Sequence, residues 1–96
     1  MSMEIKHKES NTRGMFYMED DSGIISELTY SRQSNDIIII DHTQTRTELE
    51  GKGLASRLLK KSVEFARENN LKIDPLCPFA EVKFDENKDY HDVLSK

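Results

Sequence analysis

Four consecutive isoleucines, Ile37 to Ile40, precede a polar connection and a long amphipathic run, and this pairing constrains the fold more than any other feature of the chain. A strand with one wet face alternates apolar and polar residues, so an unbroken isoleucine run predicts a central strand covered on both faces. Over residues 54–70, Leu54, Ala55, Leu58, Leu59, Val63, Phe65 and Ala66 recur at helical spacing, while Arg57, Lys60, Lys61, Glu64, Arg67 and Glu68 take the other side. The pattern predicts one amphipathic helix of about four to five turns, ended by Asn69 and Asn70. Residues 71–75 read as a short strand. A strand, a helix of that length and another strand form a crossover, which sets the two strands parallel.

Upstream, residues 14–19 and 24–31 are β-rich runs flanking Asp20-Asp21-Ser22-Gly23, the clearest hairpin signal in the chain. Residues 3–7 alternate weakly as a first strand, with turns at residues 10–14 and 31–35. Downstream, Pro78 is placed to open a helix with Cys77 as its cap, and residues 87–94 read as a last short helix packing Tyr90, Val93 and Leu94 on the sheet. With 96 residues there is room for one core. The expected class is α+β, one domain over residues 1–96: an antiparallel meander joined to a βαβ crossover, with one long central helix and short C-terminal helices.

Net charge is −4, from 18 acidic and 14 basic residues, so neither nucleic acid nor an anionic membrane is expected as a partner. No run of about 18 apolar residues exists and the N-terminus lacks a signal-peptide core, which predicts a cytoplasmic protein. The one cysteine, Cys77, has no internal disulfide partner. His7 and His91 have no neighbours at metal-ligand spacing, so no metal is expected.

The loop Glu50-Gly51-Lys52-Gly53-Leu54-Ala55 opens the long helix. Glycines there permit a tight strand-to-helix turn, and that alone accounts for them. They also allow a ligand close to the backbone, where free N–H groups and the helix dipole hold phosphate. Only the second reading requires positive charge nearby, and Lys52 and Arg57 supply it. The Walker pattern is excluded because Lys52 is followed by Gly53, and the dinucleotide fingerprint is excluded because Arg57-Leu58 brings no third glycine.

These elements in this order resemble the core of the GNAT acetyltransferase superfamily. Its [Q/R]-x-x-G-x-[G/A] loop aligns with Glu48-Leu49-Glu50-Gly51-Lys52-Gly53, with Glu48 departing from the usual Gln or Arg. A subgroup of about one hundred residues resembles the chain more closely. It shares His42-Thr43, Gly51-Lys52-Gly53-Leu54-Ala55, the segment from Lys72-Ile73 through Pro75, Cys77 and Phe79-Ala80, and Tyr90-His91-Asp92-Val93-Leu94. The first 35 residues match in strand pattern alone.

The resemblance implies acetyl-CoA as cofactor, with its pyrophosphate at Leu49, Glu50, Gly51, Lys52, Gly53, Leu54, Ala55 and Arg57. Its pantetheine arm is then expected between two splayed strands, along Ile39, Ile40, Asp41, His42 and Thr43, where backbone amides polarise the thioester carbonyl. Cys77, at a helix start where a dipole favours thiolate, becomes a candidate nucleophile or acetyl acceptor. His42 is the candidate base for that thiol or for the incoming amine. Tyr90 is a candidate proton donor to the leaving thiolate, with a core anchor as the alternative. The resulting expectation is an N-acetyltransferase acting on an unidentified amine of a protein, peptide or small molecule, working as a monomer or weak dimer. A non-catalytic acyl-CoA-binding or protein-interaction module is the alternative.

Overall fold

The computed structural model describes residues 4–95, so Met3 of the expected first strand lies outside the described residues. Five strands, β1 (Lys6–Glu9), β2 (Arg13–Asp20), β3 (Gly23–Arg32), β4 (Ile37–Thr45) and β5 (Lys72–Pro75), form one sheet in sequence order. The first four pair antiparallel, and β4 and β5 pair parallel. Helix α1 (Leu54–Glu68) makes the crossover between them. A short 3-10 turn, Thr47–Leu49, precedes it; α2 (Pro78–Glu86) and a second 3-10 turn, Lys88–Val93, follow β5. The last segment was expected as an ordinary helix. None of the described helices is long and apolar enough to cross a membrane.

Each end of α1 has a local cause. At its C-terminus Asn70 takes a left-handed φ of 56°, which turns the Leu71 N–H back onto the Ala66 carbonyl at 2.8 Å. That 6→1 bond with buried Leu71 stops the helix and launches β5. Arg67 in its last turn holds both carboxylate oxygens of Asp92, at 2.9 and 2.8 Å, which fastens the C-terminal segment to the helix. At the N-terminus Gly53 occupies the cap position, with no side-chain cap hydrogen bond.

The isoleucine run is covered on one face, which corrects the expectation of two. Ile38 and Ile40 are fully buried, together with Phe16, Met18, Leu28, Tyr30 and Ile73 from the other strands and Leu58, Leu59, Val63 and Ala66 of α1. Ile37 and Ile39 point the other way and are only half-buried, as are Met15, Tyr17, Glu27 and Thr29 on the same side. A single crossover puts its helix on one side of a sheet, and Ala80, Phe84 and Val93 join that same core. Among the described residues the opposite face carries no helix.

β1 is set by a polar and aromatic cluster at the edge of the covered face, a cause that alternation of residues 3–7 did not reveal. The His7 ring stacks on Phe16 with centroids 4.1 Å apart and meets Phe65 edge-on at 4.8 Å. Its Nε2 lies 2.7 Å from the Tyr30 hydroxyl, which donates to Glu9 Oε2 at 2.8 Å. Since that hydroxyl has one proton, which it gives to Glu9, His7 Nε2 is the donor to it. Burial holds His7 below its ordinary pKa, aided by Lys61 and Arg32 and opposed by Glu9. The Tyr30 hydrogen bond holds Glu9 below the usual carboxylate range.

Both shifts act in one direction. A folded state that binds protons less readily than the unfolded chain is most stable above the unfolded pKa, and it loses that stability as pH falls through the folded one. Melting temperature is therefore expected to fall as pH drops below about 6.5, the ordinary histidine value, and to fall again below the ordinary glutamate range. A His7→Gln variant, which retains a donor for Tyr30 and does not titrate, should lose the first step and keep the second in a thermal melt series.

Candidate active site

The chemistry of the chain is placed by where β4 and β5 part. They pair from Ile37 opposite Lys72 to Ile40 opposite Pro75, and the last rung is the Cys77 N–H donating to the Ile40 carbonyl at 3.0 Å. Beyond it Pro78 turns the chain into α2, while β4 continues to Thr45 with β3 on one side and, among the described residues, no strand on the other. The result is a notch, open along the edge of β4 from Asp41 to Thr45.

A β-bulge lies at the start of that notch. Thr29 pairs with His42 and Tyr30 with Ile40, leaving Asp41 without an opposite residue. One extra residue reverses the side-chain alternation. Before the bulge the even residues Ile38 and Ile40 face α1; after it Thr43 and Thr45 face that side, and His42 and Gln44 face the open side and are exposed. Asp41 is held by Ser31, 2.7 Å from its Oδ2, and by Arg13 at 3.5 Å.

On the helix side the notch widens into a cleft of about 610 Å³. Its walls are Thr43, Gln44 and Thr45 of β4, the segment from Thr47 through Ser56 apart from Glu48 and Lys52, and Phe79 and Lys83 of α2. Gly51 and Gly53 have φ of 84° and 79°, a region that side chains resist, and a Cβ added to either would meet no atom within 4 Å. Backbone is thus laid bare along the cleft floor. The first turn of α1 carries no acidic residue, and its Leu54, Ala55 and Ser56 line the cleft, which brings the positive end of the dipole there. An extended chain ending in phosphates fits both features, along the free strand edge and over the uncapped helix start.

Of the residues expected to bind a cofactor, Thr43, Leu49, Glu50, Gly51, Gly53, Leu54 and Ala55 line the cleft, whereas Ile39, Ile40, Asp41, His42, Lys52 and Arg57 do not. Ile40 contributes the carbonyl of the last rung, and Ile39 lies on the open face. Glu48, exposed on the 3-10 turn, is not among the residues that line the cleft, whereas Glu50 is. Gln44, Thr45, Thr47 and Ser56 also line the cleft and were missed by sequence reading, as were Phe79 and Lys83 from a separate element. The signal for the last two was available: a helix opening at Pro78 puts Phe79 in its first turn, and Lys83, four residues on, shares the same face. The structure sets the Lys83 ammonium over the Phe79 ring, 5.8 Å from its centroid.

Cys77 caps α2 as expected and is 6% exposed, but its polar partner is Thr43, whose Oγ1 lies 3.5 Å from the sulfur. The expected pairing of Cys77 with His42 does not form, because the bulge sends His42 to the other face. Tyr90 is also displaced from the chemistry. Its ring packs edge-on to Phe84 at 5.8 Å, near Glu64 and Arg67, about 15 Å along α1 from the glycine loop. It anchors the C-terminal segment, and burial raises its pKa. Among the described residues no group of three His, Cys, Asp or Glu side chains could hold a metal ion.

The family model for GCN5-related N-acetyl-transferase matches residues 15–93. The chain belongs to the GCN5-related N-acetyltransferase family. Comparison with curated proteins gives no match. Among solved structures, a GCN5-like protein from Staphylococcus aureus is 42% identical, superposes with a TM-score of 0.76, and aligns over 95% of this chain and 86% of its own. Two larger family folds are more distant. Ribosomal-protein-alanine N-acetyltransferase from Brucella melitensis gives a TM-score of 0.58 at 16% identity, covering 91% of this chain and 64% of that one. AAC(6')-Iy, in complex with a bisubstrate analog of CoA and acetylneamine, gives 0.57 at 10% identity, covering 84% and 62%. This N-acetyltransferase chain thus spans less than two thirds of those two enzymes, and its likeness to them is one of fold.

Proposed function

We propose that this acetyltransferase binds acetyl-CoA in the cleft and passes the acetyl group directly to an amine at the notch. The observation that carries the reading is the free edge of β4, which runs without a break into a glycine floor and an uncapped helix start. Acetyl-CoA supplies an activated acyl group on a sulfur leaving group. The chain's own parts do the rest. Backbone groups along Asp41 to Thr45 orient the thioester, the first turn of α1 holds the phosphates, and Lys83 adds a cation at the cleft wall.

The reaction needs two protons moved from an alkylammonium acceptor. His42, exposed beside the notch, takes the first and frees the nitrogen lone pair. The nitrogen then attacks the carbonyl carbon, the C–N bond forms, the C–S bond breaks, and the second proton goes to the departing thiolate to give the thiol. Cys77 is buried against Thr43 on the helix side and serves as wall and as last rung of the β4–β5 pair. A protein found in the cytoplasm would meet acetyl-CoA there, in keeping with the reading.

A Gly53→Ala substitution tests the cradle. The added methyl enters open cleft and strains a left-handed residue by about 1–2 kcal/mol, so the fold is retained. The dissociation constant for acetyl-CoA, measured by calorimetry, is expected to rise at least about tenfold, with residue-resolved shifts in the wild type at Gly51 to Ala55. Unchanged affinity would place the cofactor elsewhere.

A further inference from the structure

We propose that the hydroxyl of Thr45 donates a hydrogen bond to the pantetheine arm of acetyl-CoA, and that buried Ser26 is the positioning residue that turns the Thr45 proton into the cleft. The inference rests on the cofactor reading above and adds a side-chain donor that the backbone edge of β4 does not supply.

Among the described residues two polar side chains are buried, Ser26 and Ser62. Ser62 is satisfied within its own helix, where it donates to the Leu59 carbonyl at 2.7 Å. Ser26 is 1% exposed, and among the described residues its hydroxyl has one partner, Thr45 Oγ1 at 2.8 Å. Each hydroxyl has one proton, and by distance either could give it to the other. Burial decides the direction. If Thr45 donated, the Ser26 proton would be shut in the core without an acceptor, at the full cost of an unmade buried hydrogen bond. With Ser26 donating, the proton left over is that of Thr45, which is only half-buried and lines the cleft. Among the described residues that proton meets no acceptor, so it is offered to whatever fills the cleft.

The register of the sheet makes the pair. Ser26 lies opposite Thr45 on the β3–β4 ladder, and without the extra residue at Asp41 it would lie opposite Gln44. The bulge that sends His42 to the open face therefore also delivers Thr45 to the buried serine. From a thioester at His42, three residues of extended edge, about 10 Å, lead to Thr45. That stretch of a pantetheine arm carries its second amide, whose carbonyl is a neutral acceptor. Phosphate oxygens at the start of α1 are acceptors too, and a ligand without them separates the two sources.

The test compares acetyl-CoA with S-acetylpantetheine, which has the arm and no phosphates, by calorimetry and residue-resolved NMR titration of the full chain. Both should give saturable shifts at Thr45, and acetyl-CoA alone should extend them to Gly51 through Ala55. Thr45→Val removes the hydroxyl at nearly constant shape and should weaken both ligands about three- to tenfold, the loss of one hydrogen bond between neutral groups. Thr45→Ser should restore affinity to within about twofold of the wild type. Ser26→Ala should weaken binding in the wild-type background and have no further effect on it in the Thr45→Val background, the mark of a residue that acts through another. Melting temperature should follow a different order: Thr45→Val lowers it by orphaning the Ser26 proton, and adding Ser26→Ala recovers part of the loss while affinity stays low. Thr45→Val affinities within about twofold of the wild type, a Ser26→Ala effect of equal size in both backgrounds, or S-acetylpantetheine that shifts nothing along residues 41–45 would overturn the proposal. A loss confined to acetyl-CoA assigns the hydroxyl to the phosphates and overturns the contact with the arm. Wild type that binds no acetyl-CoA removes the cofactor reading itself, whereas binding at Gly51 to Ala55 that ignores Thr45 removes this inference alone.

Discussion

Gly14→Ala is expected to destabilise the protein by about 3 kcal/mol, a fall of roughly 12–24 °C in melting temperature for a domain of this size. The cause is one side chain. A Cβ built on Gly14 lies 2.3 Å from Tyr30 Cζ and 2.4 Å from its hydroxyl oxygen. Glycine costs a strand about 0.5–1 kcal/mol relative to alanine, so without the overlap the substitution would stabilise. The overlap wins because the ring has nowhere to go. Its hydroxyl is held between His7 and Glu9, and its faces lie near Phe16 and Phe65, with centroids 5.9 Å away in both cases. Repeating the substitution in a Tyr30→Leu background separates the mechanism from a general intolerance of β2. There the cost of alanine should vanish or change sign. A single variant within about 0.5 kcal/mol of the wild type would show that β1 and Tyr30 move freely.

His42→Ala is expected to lower the rate of acetyl transfer by about 10² to 10⁴, the usual contribution of a positioned base, while acetyl-CoA affinity stays close to that of the wild type. The split follows from the bulge, which places the His42 side chain across the sheet from the cofactor cleft. Cys77→Ala offers the contrast. Direct transfer predicts that it retains activity within about tenfold, its loss being that of packing next to Thr43, and that the wild type incubated with acetyl-CoA gains no acetyl group on the sulfur by mass spectrometry. An acetylated Cys77, with transfer abolished in the alanine variant, would reverse the roles of the two residues.

Much of the fold was legible because local signals and long-range geometry agreed. The helix pattern beginning at Leu54, the turn Asp20 to Gly23, and Pro78 after Cys77 each name an element boundary through backbone chemistry, and the structure places elements there. The glycine loop was legible for the same reason. Covered faces were not, since an isoleucine reports a preference for burial and not the presence of a partner, and Ile37 and Ile39 look identical in sequence to Ile38 and Ile40. The site was half legible. Thr43 and the loop fell on the cleft, but the bulge at Asp41 depends on how β4 registers against β3, and no residue type in Asp41-His42-Thr43 announces it. That one unpaired residue decides which of His42 and Thr43 meets Cys77. Tyr90, a residue type suited to proton transfer, packs against Phe84, the anchor position that the sequence left open as its alternative.

The free edge of β4 also has a meaning for the protein before any substrate arrives. Past the Ile40–Cys77 rung, backbone donors and acceptors stand ready to pair, and an unpaired strand edge is a template for any extended chain, including another copy of the same protein. Three devices restrain it: the edge is short, Pro78 steers the neighbouring chain away, and polar Asp41, His42 and Gln44 flank it. A bound cofactor arm would complete the protection by taking up the same hydrogen bonds. On the proposed reading, the stretch of β4 edge that binds the cofactor arm is open to pairing with another chain while empty, and the bound arm covers it.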